Sequence, residues 1–218
     1  MKQAPVKYVL FDVANTLLHK PLLWERVEEV LRSERYVLPM ERVRYVHKLT
    51  SETLEFPDRT SETFYTRFNT RFLNNLGIVA EEALLNTLFT RCKNLPWDTF
   101  EDTSALTSIP VKIGILSNFN SGLRSLIEEK MKKVSFSDVF ISEEMNIRKP
   151  DTEIFKKALA QLGIAAENVL YVGDSIRLDI APALKLGMQV RLIDRDSYFS
   201  ENKDRITSLH ELLKIWEV

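Results

Sequence analysis

The sequence predicts an α/β protein built on a doubly wound parallel sheet, with a separate helical bundle inserted after the first strand. Three observations predict it. Short runs that are apolar throughout, rather than alternating, recur at Val6 to Phe11 and again after Val111, as in strands buried on both faces. Helical patterns separate the later runs, and strand, helix, strand, helix in this order is the signature of a parallel sheet covered on both sides. Between the first run and the rest, Pro21 to Asn94 has almost no strand-like stretch.

The first strand is VKYVLF, β-branched and aromatic. The block that follows holds a single glycine, Gly77, and four apolar stripes at helical spacing. Leu23, Val27, Val30 and Leu31 form one, and Val43, Val46 and Leu54 part of the next. Phe64, Phe68 and Phe72 make the third, and Ala83, Leu84 and Leu88 the fourth. Breaks at Pro39, at Pro57 to Asp58 and at Gly77 punctuate an antiparallel bundle. Strands resume at VKIGILS, NVLYVGD and QVRLID. Helices are expected over Ser121 to Lys133, Asp151 to Leu162 and Asp179 to Leu186, the last two closed by Gly163 and Gly187 where a left-handed cap belongs. A final amphipathic helix is expected over Ile206 to Trp216, packed on the sheet.

Composition narrows the class. Thirty basic residues against 31 acidic ones leave a net charge of -1, which favours neither nucleic acid nor an anionic membrane as partner. The lone Cys92 has no internal disulfide partner, and the 44% of apolar residues are dispersed in short runs, without the stretch of about 18 that spans a bilayer. No charged-then-apolar signal segment opens the chain, so a soluble, cytoplasmic protein is expected.

In an open parallel sheet ligands bind beyond the carboxyl ends of the strands. Here those ends carry a consistent set. The first strand runs into Asp12, then Val13, Ala14, Asn15 and Thr16. The second ends in Ser117 and Asn118, and the third in Asp174 and Ser175. Lys149 precedes Pro150 at a helix start, and Asp179 lies five residues past Asp174. Carboxylates with a hydroxyl and an ammonium suit a hard cation and a transferring phosphoryl group. Singly, each has a bland reading: Asp12 as a turn residue, Ser117 and Asn118 as the N-cap region of a helix, Lys149 as a loop residue. Phe64, Phe68 and Phe72 read as bundle packing, Arg67 and Arg71 as a solvated pair within reach of an anion, His47 and His210 as structural or surface groups, and Cys92 as a small buried hydrophobe.

FDVANTL resembles the first motif of the haloacid dehalogenase superfamily, ILSN the second, RKP the third and GDSIRLD the fourth. All four stand in that family's order. The resemblance implies a Rossmann-like core of residues 1–16 and 97–218 and, over 17–96, the helical cap of the subclass that inserts it between the first two motifs. It also implies a small phosphorylated metabolite as substrate and Mg²⁺ as cofactor. Asp12 would attack phosphorus to form an aspartyl-phosphate, with Lys149 assisting. Thr16, Ser117, Asn118 and Lys149 would bind substrate, and Asp12, Asp174 and the Ala14 carbonyl would hold Mg²⁺. Ser175 and Asp179 would support them.

The sequence departs from the family's pattern at Ala14, where phosphatases carry a second Asp that protonates the leaving group and then activates water. A carbonyl ligand survives that change, but the general acid does not, a loss typically worth about 10²- to 10⁴-fold in rate. Asn15 replaces the usual glycine, and Asn tolerates a left-handed backbone better than most residues. Four readings stay open. One is a phosphatase for good leaving groups, or one that borrows an acid such as His19. The second is a C–P bond hydrolase resembling phosphonoacetaldehyde hydrolases, with Lys48 as the imine-forming amine. A metal-independent dehalogenase is the third, against which the intact Gly173-Asp174-Ser175 counts. The fourth is a phosphate-ester-binding or regulatory protein that has lost turnover.

Overall fold

The computed structural model describes residues 4–54 and 62–217. The expected break at Pro57 to Asp58 lies outside them. Strand β1 (Tyr8–Phe11) and the short β2 (Leu18–His19) lead into helices α1 (Leu23–Ser33), α2 (Met40–Thr53), α3 (Glu62–Leu76) and α4 (Glu82–Cys92). Then come β3 (Asp98–Thr99), β4 (Lys112–Ser117), α5 (Leu123–Lys130), β5 (Asp138–Ile141), α6 (Ser142–Met145) and α7 (Thr152–Leu162). The chain closes with β6 (Val169–Gly173), α8 (Ala181–Lys185), β7 (Gln189–Ile193) and β8 (Arg205–Ile206). It divides into two compact units, residues 1–19 with 99–218, and residues 20–98.

The first unit is a six-stranded sheet in the order β5-β4-β1-β6-β7-β8, every neighbouring pair parallel. Its central strands are buried along their whole length, which is why their sequences read as unbroken apolar runs. The order reverses at β1, whose carboxyl end therefore lies between those of β4 and β6. Strands β2 and β3 form a separate two-stranded sheet. Helix α7 begins with Asp151 accepting a hydrogen bond from the Glu153 amide at 2.9 Å and ends on Gly163 at φ 64°, as its sequence predicts.

Several elements differ from expectation, among them the short β2, β3, β8 and α6, which were not anticipated. The segment expected as one helix from Asp179 begins earlier, as a π-helical turn over Ile176–Ile180 that Ser175 caps through the Leu178 amide, and α8 restarts with Pro182 in its first turn. Pro182 has no N–H to continue the ladder. The expected helix over Ile206 to Trp216 is a strand residue pair followed by a 3-10 helix, Leu209–Ile215. Ser208 and Glu211 form a capping box there, and a cap starts a helix rather than sitting inside it. Strand β5 was not expected, its run being short and its start, Asp138, polar.

The second unit is four helices, α1 packing on α4 and α2 on α3. The stripes anticipated from spacing are its interior, including Val27, Val30, Leu31, Val43, Phe64, Phe68, Phe72 and Leu88. His47 sits against Trp24, Phe68 and Phe72, with ring centroids 5.1, 4.8 and 5.4 Å away. Asn75 donates to Thr50 Oγ1 at 3.0 Å, a polar tie between α2 and α3. Among the described residues, no helix is long and apolar enough to cross a membrane.

Candidate active site

Asp12 follows β1 directly, its amide donating to the Val172 carbonyl of β6 at 2.9 Å, so the ladder itself places it beside the end of β6. Ser117, the last residue of β4, donates from Oγ to Asp12 Oδ1 at 2.9 Å. Lys149 Nζ donates to the same oxygen at 2.7 Å. Both bonds fall on Oδ1, which leaves Oδ2 engaged by neither.

Lys149 is the hub. Its ammonium also donates to Asp179 Oδ1 at 2.6 Å and to the Tyr171 hydroxyl at 3.0 Å, so all three of its protons are placed. Its side chain is 2% exposed. Burial alone would lower its pKa, but the Asp12 and Asp179 carboxylates outweigh that and raise it, so the group is a cation. The Lys149 backbone is clamped by Asn118, whose amide oxygen accepts from Lys149 N at 2.8 Å and whose amide nitrogen donates to Lys149 O at 2.9 Å. Asn118, expected among the substrate-binding residues, thus spends both ends of its side chain on Lys149.

Tyr171 escaped the sequence reading because a tyrosine inside an apolar strand reads as core. Its hydroxyl donates to the Leu116 carbonyl at 2.8 Å while accepting from Lys149. Burial, together with the Asp179 and Asp12 charges, pushes its pKa well up, so it stays a phenol.

Asp12, Asp174 and Asp179 each offer a carboxylate oxygen within 4.8 Å of the others. Asp179 is fastened at both oxygens, to Lys149 through Oδ1 and to the Ser175 amide through Oδ2 at 3.0 Å. Burial pushes its pKa up to about 7, Lys149 opposing and the Asp12 and Asp174 charges adding to the rise. Three carboxylates face one ammonium, and a divalent cation on hard oxygen donors would offset the excess negative charge. The donor set therefore fits Mg²⁺. Gly173 makes the arrangement possible, since a Cβ there would fall on the Asp179 carboxyl group.

The turn after Asp12 is closed by its own backbone. Val13 O accepts from Leu17 N and Leu18 N, both at 2.9 Å, and Asn15 N donates to Leu18 O at 2.7 Å. Asn15 is left-handed, φ 59°, the conformation its sequence position suggested. Thr16 is fully buried, and its Oγ1 has no hydrogen-bond partner among the described residues. The Thr16 carbonyl accepts from Arg195 Nη2 at 2.8 Å. Arg195 also pairs with Asp102 and lies over the Phe100 ring, 3.8 Å from its centroid. No sequence signal marked this trio, which two distant segments bring together against the Thr16 carbonyl.

Other candidates have surroundings of their own. His19 stacks on Phe100 with centroids 4.2 Å apart. Lys48 pairs with Glu52 at 3.1 Å on α2. Arg67 and Arg71 line a surface cavity of α3 with Leu54, Thr66, Thr70 and Asn74.

The family model for the haloacid dehalogenase-like hydrolases matches residues 6–187. Haloacid dehalogenase-like hydrolase domain-containing protein 3 of Danio rerio is 27% identical over 88% of this chain and 87% of its own. Glyceraldehyde 3-phosphate phosphatase of Methanopyrus kandleri is 29% identical over 88% and 86%. Among solved structures, the magnesium-bound HAD-hydrolase YfnB of Bacillus subtilis superposes with a TM-score of 0.68 at 20% identity, covering 99% of this chain and 100% of that one, a likeness of fold. With most of its length matched by that model, and with the strand-end carboxylates and lysine gathered at the switch point of a parallel sheet, this chain belongs to the haloacid dehalogenase-like hydrolases.

Proposed function

We propose that the chain is a Mg²⁺-dependent phosphatase of small phosphorylated metabolites, working through an aspartyl-phosphate on Asp12. The observation that carries this is the shared grip of Ser117 and Lys149 on one oxygen of Asp12, with Lys149 braced from behind by Asp179 and Tyr171. Such a grip points Oδ2 as the attacking atom and keeps a hydroxyl and an ammonium beside the oxygens of a phosphoryl group. Phosphatase relatives of nearly full-length match support the same reading.

Asp12 Oδ2 bonds to phosphorus as the ester P–O bond breaks, and the leaving oxygen departs with the ester's electron pair. Water then attacks the phosphorus of the acyl phosphate, releasing phosphate and restoring the carboxylate. Asp12, Asp174 and the Ala14 carbonyl are the groups to hold Mg²⁺, which when bound neutralises charge on the transferring group. Ala14 has no proton to give. Leaving groups that are stable as anions, aryl and acyl phosphates, are therefore the substrates this site turns over best. The helical unit, residues 20–98, is assigned the task of a cap that sets specificity. Lys48, which a C–P bond hydrolase would use as a neutral amine nucleophile, is paired with the Glu52 carboxylate, a partner that favours its charged form, and this favours the phosphatase.

Hydrolysis of p-nitrophenyl phosphate, acetyl phosphate and an alkyl phosphate tests the reading. Turnover is expected with Mg²⁺, lost with chelator and lost with Asp12→Asn. Ala14→Asp is expected to raise the alkyl rate by about 10²-fold or more and the acetyl rate far less. Turnover that persists in chelator, or in Asp12→Asn, overturns it.

A further inference from the structure

We propose that Arg195 is a positioning residue for the turn that follows Asp12, and that through the Thr16 carbonyl it sets the aim of the Ala14 carbonyl toward the metal. The inference rests on the reading of that carbonyl as a Mg²⁺ ligand.

The backbone bonds of the turn show why an outside anchor matters. Val13 O takes the amides of Thr16, Leu17 and Leu18, and Leu18 O takes that of Asn15. None of these bonds uses the Ala14 carbonyl. The turn is tied to other segments by Phe100 N to Leu17 O at 3.1 Å, by Arg195 Nη2 to Thr16 O at 2.8 Å and, where it runs into β2, by the pairing of β2 with β3. Asn15, between Ala14 and these anchored carbonyls, is left-handed, a conformation that a non-glycine residue holds at a cost. Rotation of the turn would swing the Ala14 peptide first.

The guanidinium is itself fixed. Nη1 goes to Asp102 Oδ2, and its flat face rests on Phe100. Asp102 Oδ2 also accepts from Ser208 Oγ at 3.1 Å and Leu209 N at 2.8 Å, which ties in the start of the C-terminal 3-10 helix. The Arg195 side chain is 19% exposed and that of Asp102 12%. Arg195 thus ties the turn after Asp12 to the segment at Phe100 and Asp102 and, through Asp102, to the start of the C-terminal 3-10 helix. Arg195 lies just past β7, two strands from β1 in the sheet, yet it spends a charged donor on a neutral carbonyl of the turn that carries the site. A group serving stability alone would gain as much from a second carboxylate at the surface. Groups that orient metal ligands typically change metal affinity about 10- to 100-fold when lost.

The experiment is Mg²⁺ titration calorimetry on the wild-type protein, Arg195→Met, Arg195→Lys and Tyr8→Phe, with amide hydrogen exchange of residues 15–18 measured without metal. Tyr8 bonds Asp138 at 2.7 Å at the opposite end of the strands, so Tyr8→Phe destabilises the same sheet without touching the turn. Arg195→Met is expected to bind Mg²⁺ about 10-fold more weakly, to lower kcat more than it changes substrate KM, and to exchange faster at residues 15–18. Arg195→Lys should recover part of each effect, and Tyr8→Phe should match wild type. If Arg195→Met does not fold, Asp102→Asn, which keeps the shape and loses the charge that fixes the guanidinium, must move affinity and exchange in the same direction. Wild-type affinity in these variants overturns this inference alone. A wild-type protein that takes up no Mg²⁺ overturns the metal reading together with it.

Discussion

Among the described residues, the sheet unit buries an ammonium between two carboxylates, Lys149 with Asp12 and Asp179, at side-chain exposures of 2%, 8% and 1%. The helical unit keeps its charges differently. Arg26 with Glu29, Arg32 with Glu28 and Arg91 with Glu29 pair across exposed helix faces, while its interior is aliphatic and aromatic around His47. Exposed pairs of that kind contribute little, about 0 to 1 kcal/mol each. A buried pair is often no more stabilising than apolar residues of the same size. The sheet unit therefore carries a charged cluster at side-chain exposures of 8% and below, whereas the most enclosed pair described in the helical unit, Lys48 with Glu52, keeps 17% and 10% exposure on one helix. The difference is what the proposed reading expects if the sheet unit carries the chemistry and the helical unit is held chiefly by packing.

The largest effect expected from breaking that contrast comes at Lys149. Lys149→Met removes the cation and leaves Asp12 and Asp179 buried without it, so a loss of about 3–5 kcal/mol is expected in urea unfolding, along with the loss of the phosphate-ester turnover that the proposed function expects. Mutating the centre of the helical unit should cost stability through a different mechanism. Phe72→Ala opens a cavity in an aromatic stack and is expected to destabilise by about 3–5 kcal/mol. Its unfolding transition should first appear in hydrogen exchange of helices α1 to α4, with the β1, β4 and β6 amides still protected. Loss of protection at both together would show that the two units unfold as one.

The smallest effect concerns acid. Burial pushes the Asp102 carboxyl up, but the Arg195 pair and the Leu209 amide outweigh it and hold the pKa below its ordinary value. A carboxylate with a depressed folded pKa contributes stability that is complete above its unfolded pKa and disappears as pH falls through the folded one. Wild-type stability should thus fall more steeply than that of Asp102→Asn below about pH 4, as urea midpoints across that range would show. Equal slopes would mean that Asp102 gains nothing from Arg195 in the folded state.

Much of the candidate site was legible because strand ends are legible. Once VKYVLF, VKIGILS and NVLYVGD read as buried strands, Asp12, Ser117 and Asp174 had to share one edge of the sheet. Lys149 and Asp179 followed from their motifs. What stayed hidden depends on tertiary partners. Tyr171 looks like any other core aromatic until Lys149 is placed over it. Phe100 and Asp102 share a short segment, but Arg195 lies more than ninety residues on, and only folding brings it into contact with them. The closing helix was misjudged because the apolar spacing from Ile206 onward hides the capping signal of Ser208 and Glu211.

Gly173 and Ala14 stand on opposite sides of one tolerance boundary. A single methyl at 173 would displace Asp179 and, through it, Lys149 and Asp12. At 14 the bonds that close the turn come from the flanking Val13 and Asn15, and none of them depends on the Ala14 side chain. On the proposed reading, exchanging that one side chain rewrites which leaving groups the site accepts. The scaffold that holds Asp12 is then inherited whole, and its immutability is concentrated in a residue with no side chain at all.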